Sequence, residues 1–326
     1  PPPLLSCQAF APPDHLMTDP TLDGDAGARR TIAITGASGF IGSALVRALE
    51  RDGHVVRRLV RRSPRAQNEA AWDPARGTID AVAIEGADAV INLAGEPLDQ
   101  RWTAAARRRI RSSRIDGTAL LARTIAAARV RPSVFLSGSA IGIYGSRGDT
   151  ILDESSTLGS DFAAEVCKEW EAATEPAALA GVRVAHLRTG LVLARHGGAL
   201  AKMLPVFRAG FGGRLGSGRQ WLSWISLPDI VAAIQMLLAA PDMSGAVNLV
   251  APNPVTNAEF TRVLGRVLRR PTLARVPKLA LEALFGEMAD GTILASQRVR
   301  PRCLLDAGFE FSLSTLESAL RETLQE

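Results

Sequence analysis

The stretch TIAITGASGFIGSAL, residues 31–45, constrains the fold of this chain more than any other. Its β-branched start reads as a short buried strand. FIGSALVRALERDG (40–53) then repeats apolar residues at helical spacing and stops on Gly53. Between strand and helix, Gly36, Gly39 and Gly42 are spaced G-x-x-G-x-x-G, with Ala37, Ser38, Phe40 and Ile41 completing the loop. A phosphate bound at such a turn needs free backbone N–H groups at a helix N-terminus and no side chain in the way. Gly36 permits the tight turn, Gly39 lets the backbone approach a pyrophosphate, and Gly42 lets helix pack on strand. A glycine triplet alone is an ordinary turn. The strand before it, the amphipathic helix after it and a second strand, HVVRRLV (54–60), make it a dinucleotide-binding turn.

The same alternation continues. Strands are expected at 87–95, 133–139, 182–190 and 245–251. Helices are expected at 103–129, where Pro132 prevents continuation, and at 162–180, 228–240, 257–270, 277–286 and 314–325. Thr256 or Asn257 caps the helix at 257, with Glu259 in its first turn. The pattern predicts an α/β fold: a Rossmann-like doubly wound parallel sheet with a smaller C-terminal substrate-side region. The dinucleotide-binding domain takes residues 31–190 and 228–250, and the substrate-side region 191–227 and 251–326. Residues 197–230, crowded with glycine and holding Trp221 and Trp224, read as a lid or pocket wall. Residues 1–30, rich in Pro, Asp and Gly, read as an extension or linker outside the fold.

Composition narrows the function. The net charge is +5, and all but three of the 38 basic residues are arginine, a bias that explains the charge without a nucleic-acid surface. The densest run, RWTAAARRRIRSSR (101–114), reads as a helix with a solvated arginine face and has no aromatic interleaving. No apolar run approaches the about 20 residues that span a bilayer, and the first residues lack the pattern of a signal peptide. Cys7, Cys167 and Cys303 are scattered and odd in number, which fits a reducing cytoplasm. The four histidines do not cluster, so no metal site is expected.

The end of the second strand bears on the cofactor. Selectivity for NAD places an acid there to bind the ribose 2′-OH. This chain has RRLVRRSPR, with Arg61 and Arg62 and no acid, which favours the 2′-phosphate of NADP.

With these residues in place, the chain resembles the extended short-chain dehydrogenase/reductases of the NAD-dependent epimerase/dehydratase superfamily. The motifs are TGASGFIG (35–42), VINLAG (90–95), SGSAIGIYG (137–145), LRTGLVLARHGGAL (187–200) and GSGRQWLSWISLPDI (216–230). With TNAEFTRVLGRVLRRP (256–271) and ASQRVRPRCLLDAGFEF (295–311), they resemble the atypical "epimerase family protein" branch, which has its own C-terminal segment. The resemblance covers about residues 30–325. It implies that Asn92, Leu93, Ala94 and Gly95 lie beside the cofactor, with Glu96 on the substrate side. Leu136 to Ser139, including Ser137, would run beneath the nicotinamide. Gln220, Ser223 and Trp224 would face a substrate. Arg101, Trp102 and the SSR of 112–114 match family positions and read as helix packing and surface charge. His186, on an apolar strand, reads as a core histidine.

The superfamily's usual proton-transfer trio is a serine with Y-x-x-x-K. Ser139 matches the serine and Lys168 the lysine, but Ala164 stands where the tyrosine would be. Tyr144, the chain's only tyrosine, matches a residue that lines the substrate side of the pocket. Asp153, Glu154, Asp161, Glu165, Cys167 and Tyr144 itself are alternative proton donors, since a buried carboxyl can be tuned to donate near neutrality. The expected function is an NADP(H)-dependent oxidoreductase or epimerase acting on a small polar, sugar-like substrate, as a monomer or homodimer. The alternative is a catalytically weak or inactive NADP(H)-binding protein, with a structural relic of a nucleotide fold as a third reading.

Overall fold

The computed structural model describes residues 29–325, so the reading of residues 1–28 lies outside the described residues. The strands begin with β1 (Thr31–Thr35), β2 (Val55–Val60), β3 (Glu69–Asp73), β4 (Thr78–Ile79), β5 (Ala89–Asn92) and β6 (Val134–Ala140). A short β7 (Ile151–Leu152) precedes β8 (Arg183–Thr189), β9 (Leu191–Leu193), β10 (Gly213–Leu215), β11 (Trp221–Leu222) and β12 (Trp224–Ser226). The last are β13 (Gly245–Leu249), β14 (Val255–Thr256), β15 (Ala274–Val276) and β16 (Arg298–Val299). The helices begin with α1 (Phe40–Arg51), α2 (Ala104–Ala127), α3 (Phe162–Ala172), α4 (Glu175–Leu179) and α5 (Gly198–Arg208). They continue with α6 (Leu227–Ala239), α7 (Asn257–Leu268), α8 (Lys278–Phe285), α9 (Arg302–Asp306) and α10 (Leu316–Gln325).

Eight strands form one sheet in the order β13-β8-β6-β5-β1-β2-β3-β4, parallel throughout except for the edge pair β3–β4. Parallel strands need crossover helices, and these bury both faces of the sheet. On one face Ile32, Ile34, Leu136 and Leu187 pack against Leu45 and Leu49 of α1 and Ile234 of α6. On the other, Ala33, Val90 and Phe135 pack against Leu121 and Ile125 of α2. This is the doubly wound, Rossmann-like arrangement that the alternation predicts. The order of the strands reverses between β1 and β5, which lie side by side and parallel with Thr35 opposite Asn92. The crevice beyond their carboxyl ends is where open α/β sheets bind ligands.

The expected helix over 162–180 is divided. Pro176 has no N–H to donate to the Ala172 carbonyl and its ring crowds that carbonyl, so α3 ends at Ala172 and a short α4, with Pro176 in its first turn, follows. Residues 197–230 hold a helix, α5, and short ladders: β12 beside β9, β11 beside β14, β10 beside β15. They share an apolar core of Leu193, Leu200, Trp224, Phe260, Leu264 and Leu320. Thr256 caps α7, its hydroxyl accepting from Glu259 N at 3.2 Å.

Candidate functional site

The loop after β1 lies against the loop after β5. Gly36 has φ +70°, and a Cβ there would stand 2.7 Å from the carbonyl carbon of Leu93. A Cβ on Gly42 would fall on the Gly36 carbonyl, with the carbon 2.9 Å away. Gly39 N donates to Gly36 O at 2.9 Å and closes the turn. Gly39 also caps α1 with no side-chain bond, and the first turn of α1 holds no acid. The result is a bare, positively polarised helix start facing the crevice.

Asn92 is buried, and its amide is spent on bracing. Thr35 Oγ1 donates to Asn92 Oδ1 at 2.6 Å, and Asn92 Nδ2 donates to Thr118 Oγ1 at 2.7 Å. Trp170 Nε1 donates to the same Thr118 hydroxyl at 2.8 Å. Rather than presenting its side chain to a ligand, Asn92 fixes the path of Leu93 and Ala94. Beyond it, Glu96 N donates to the Ser113 hydroxyl oxygen at 3.0 Å, and the Glu96 carboxylate lies 3.4 Å from Arg109 Nε.

One residue in this corner reads as surface charge from sequence and is not. Arg114 Nη1 donates to the Glu96 carbonyl at 2.9 Å and to Ile110 O at 3.2 Å. Its Cζ stands 3.1 Å from where a Gly95 Cβ would be and 5.1 Å from the Trp170 ring centroid. Burial pushes its pKa down. Helical spacing alone puts Arg114 beside Gly117 and Thr118 on the inner face of α2. Its neighbours Arg108 and Arg111 are exposed, which hid that distinction in an arginine-rich run.

The two arginines after β2 differ. Arg62 is held in a two-point ion pair with Glu69, at 2.6 and 2.8 Å. The Arg62 hydrogen bonds hold the Glu69 carboxyl down at about 2. The Arg62 fork is therefore occupied by a carboxylate at neutral pH. Arg61 is exposed and makes no hydrogen bond or ion pair with a described residue.

Ser139, at the end of β6, enters a buried polar chain. Its Oγ donates to Glu171 Oε1 at 2.7 Å. Glu171 receives Arg188 Nε at 2.8 Å and Nη2 at 2.9 Å. Arg188 Nη1 donates to the Tyr144 hydroxyl at 3.0 Å, and that hydroxyl donates to Asn248 Oδ1 at 2.8 Å. Burial pushes the Glu171 carboxyl up, but the Arg188 bonds and charge outweigh it and leave it below the ordinary carboxylate value. Burial pushes the Tyr144 hydroxyl up to about 12. His186 lies 3.8 Å from Glu171 Oε2, and burial still keeps its pKa below the ordinary value, so the contact is not an ion pair at neutral pH.

This arrangement revises several expectations. Tyr144 is fully buried with both hydroxyl bonds made, so it neither lines an open pocket nor stands ready to give a proton. Lys168 is tied at 2.8 Å to Glu165, one of the other proposed donors. Asp161 caps α3 by accepting from Ala164 N at 2.9 Å, and Asp153 accepts from Ser155 Oγ at 2.6 Å. Glu154, raised by burial, accepts from Asn248 N at 3.0 Å. Cys167 is buried, which pushes its thiol up to about 12. The acid that touches Ser139 is Glu171, absent from the sequence-based set because nothing in the order of residues places the third residue after Lys168 against β6.

Gln220, Ser223 and Trp224 are likewise buried fasteners. Gln220 Nε2 donates to Leu215 O at 3.1 Å, Trp224 Nε1 to Asn253 O at 3.0 Å, and Ser223 Oγ to Gln297 O at 2.8 Å. They secure the C-terminal segment rather than face a cavity. Among the described residues, no group of three His, Cys, Asp or Glu is placed to hold a metal ion, and no helix is long and apolar enough to cross a membrane.

A doubly wound sheet with a bare glycine turn at its switch point defines a Rossmann-like dinucleotide-binding protein. Residues 32–250 match the NAD dependent epimerase/dehydratase family, and residues 276–323 match a domain of unknown function, DUF1731. The chain belongs to the NAD dependent epimerase/dehydratase family. It is 46% identical over 294 residues to an "Epimerase family protein" of Mycobacterium bovis, covering 90% of this chain and 97% of that one. The crystal structure of human epimerase family protein SDR39U1 with NADPH superposes with a TM-score of 0.82 at 32% identity, covering 91% of this chain and 99% of that one. A nucleoside-diphosphate sugar epimerase from Corynebacterium glutamicum gives a TM-score of 0.76 at 37% identity, over 91% of this chain and 59% of that one.

Proposed function

We propose that this protein binds NADP(H) in the crevice between β1 and β5 and acts as an oxidoreductase or epimerase on a small polar substrate. The observation that carries the reading is the crevice itself. Backbone atoms already occupy the space that side chains at 36 and 42 would need, and the start of α1 is left free of side-chain caps. The human relative solved with NADPH supports the cofactor, and the sugar-nucleotide epimerase likeness supports the substrate class. The residues fit the group. The turn at 36–42 would hold the diphosphate, Arg61 a 2′-phosphate, and Arg114 would bring a cation to the Gly95–Glu96 bank. When bound, NADP(H) supplies a hydride donor or acceptor. Ser139 would orient a substrate oxygen: its proton is directed to Glu171, so it offers that oxygen lone pairs rather than a donated hydrogen. The buried Cys167 thiol fits a reducing compartment such as the cytoplasm.

A second reading, slow or absent turnover with NADP(H) binding retained, is favoured by one observation. Ala164 replaces the tyrosine, while the Tyr144 and Cys167 protons are both held to about 12. Incubation with C4-deuterated NADPH and a panel of sugar nucleotides, ketones and aldehydes separates the two. The oxidoreductase or epimerase reading expects deuterium in a product or exchange into a substrate. No transfer across the panel, with NADPH still bound, establishes the second reading.

A further inference from the structure

Arg195 and His196 form the tip of a tight turn closed by an antiparallel bridge between Ala194 and Gly197. The turn links β9 to α5, and its base rests on the nucleotide loop. A Cβ on Gly197 would stand 2.5 Å from Cβ and Cγ of Phe40, the first residue of α1. Gly198 follows at φ +64°, and a Cβ there would stand 3.3 Å from Phe40 Cζ. Side chains at 197 and 198 would lift the turn off the loop. One helical turn further along α5, Lys202 is paired with Asp99, in the segment that follows β5. The Arg195 turn and α5 therefore touch both banks of the crevice.

Arg195 is half-buried and makes no hydrogen bond or ion pair with a described residue. Arg57 and Arg183, also partly buried, are engaged with Glu85 O and Met243 O, and the buried Arg188 with Glu171. No acid stands in the first turn of α1 or of α5. A guanidinium drawn partly out of water without an acceptor is unfavourable, and its fork matches the geometry of a phosphate. We propose that Arg195 receives a phosphate of a ligand bound in the crevice, with the 194–197 turn roofing that phosphate. The proposal rests on the NADP(H) reading in naming the cofactor's diphosphate as the nearest source. A phosphate carried by the substrate is the same chemistry from a second source.

The test compares wild type, Arg195→Ala and Arg195→Lys in three titrations, with thermal melts showing that each variant is folded. The ligands are NADPH, adenosine 2′,5′-bisphosphate, which lacks the diphosphate bridge, and uridine diphosphate added to the NADPH-loaded protein. A charge-assisted contact predicts that Arg195→Ala weakens NADPH by about tenfold or more, and that Arg195→Lys recovers part of the loss. Adenosine 2′,5′-bisphosphate is expected to bind all three proteins alike. A loss confined to uridine diphosphate assigns the contact to the substrate's phosphate instead. Unchanged affinities in every arm overturn the proposal. Wild-type protein that binds uridine diphosphate but not NADPH would sink the cofactor reading and leave Arg195 still tested. Wild-type protein that binds none of the three ends both.

Discussion

Replacing Glu171 by glutamine removes one charge from the chain that links Ser139 to Asn248 and changes its volume little. The Glu171 side chain accepts three hydrogen bonds, from Ser139 Oγ and from Nε and Nη2 of Arg188. Its partner Arg188 is nearly buried, with a side-chain exposure of 5%. A carboxamide has one acceptor oxygen to offer, and its NH2 group must face donors. The larger effect is the guanidinium left in the interior without a counter-charge. Breaking a buried pair from one side costs about 3–5 kcal/mol. At about 2–4 °C per kcal/mol for a domain of this size, the melting temperature should fall by roughly 10 °C. Arg188→Met should cost a similar amount by stranding the carboxylate. The double variant Glu171→Met/Arg188→Met strands neither charge and should lose far less than the sum. Urea denaturation of the four proteins measures this directly. A Glu171→Gln cost below about 1 kcal/mol, or single losses that simply add, would show that the pair is not the closed unit described here.

Three further outcomes are expected. Tyr144→Phe should cost about 1–3 kcal/mol in urea, because Arg188 and Asn248 each lose a buried partner, and should leave NADPH affinity unchanged; lost affinity with intact stability would put Tyr144 at the ligand. His186 is held neutral by burial, so the unfolded chain binds its proton more readily than the folded one. Stability from this group is then complete above the unfolded value of about 6.5 and falls as pH drops below it, and His186→Gln should flatten that slope between neutral and mildly acid pH. An unaltered slope would assign it elsewhere. Gly42→Ala should weaken NADPH by about tenfold or more, since the added methyl collides with the Gly36 backbone and displaces the loop; wild-type affinity in this variant would contradict the close packing of α1 on the turn.

The parts of the molecule legible in its sequence are those governed by local rules. The strand, glycine turn and helix over 31–53 follow from φ requirements and apolar spacing, and Thr256 caps α7 as its side chain dictates. The strands at 69–73 and 78–79 were hidden, because EAAWD and TI are short edge pieces whose pairing comes from β2 and not from their own pattern. The site divides along the same line. Ser139 and the glycines could be placed from their order in the chain. Glu171 and Arg195 could not: Glu171 matters through Ser139 and Arg188, 32 and 17 residues away, and Arg195 through the packing of its turn on Phe40, while the inward face of Arg114, readable from helical spacing, was hidden in the arginine-rich run. The same limit explains why Gln220, Ser223 and Trp224, polar and aromatic in a glycine-rich stretch, read as pocket lining when their bonds in fact tie down residues 253–299.

The central claim, that the crevice holds NADP(H) through the 36–42 turn with Arg61 rather than Arg62 free for a 2′-phosphate, is tested most directly by titrating NADPH and NADH into wild type, Arg61→Ala and Arg62→Ala. Wild type should prefer NADPH by about tenfold, as one charge-assisted contact in an exposed position allows. Arg61→Ala should abolish most of that preference and Arg62→Ala little of it, because Arg62 is already paired with Glu69. Equal binding of NADH and NADPH by the wild type, or a preference that survives Arg61→Ala, would contradict the account.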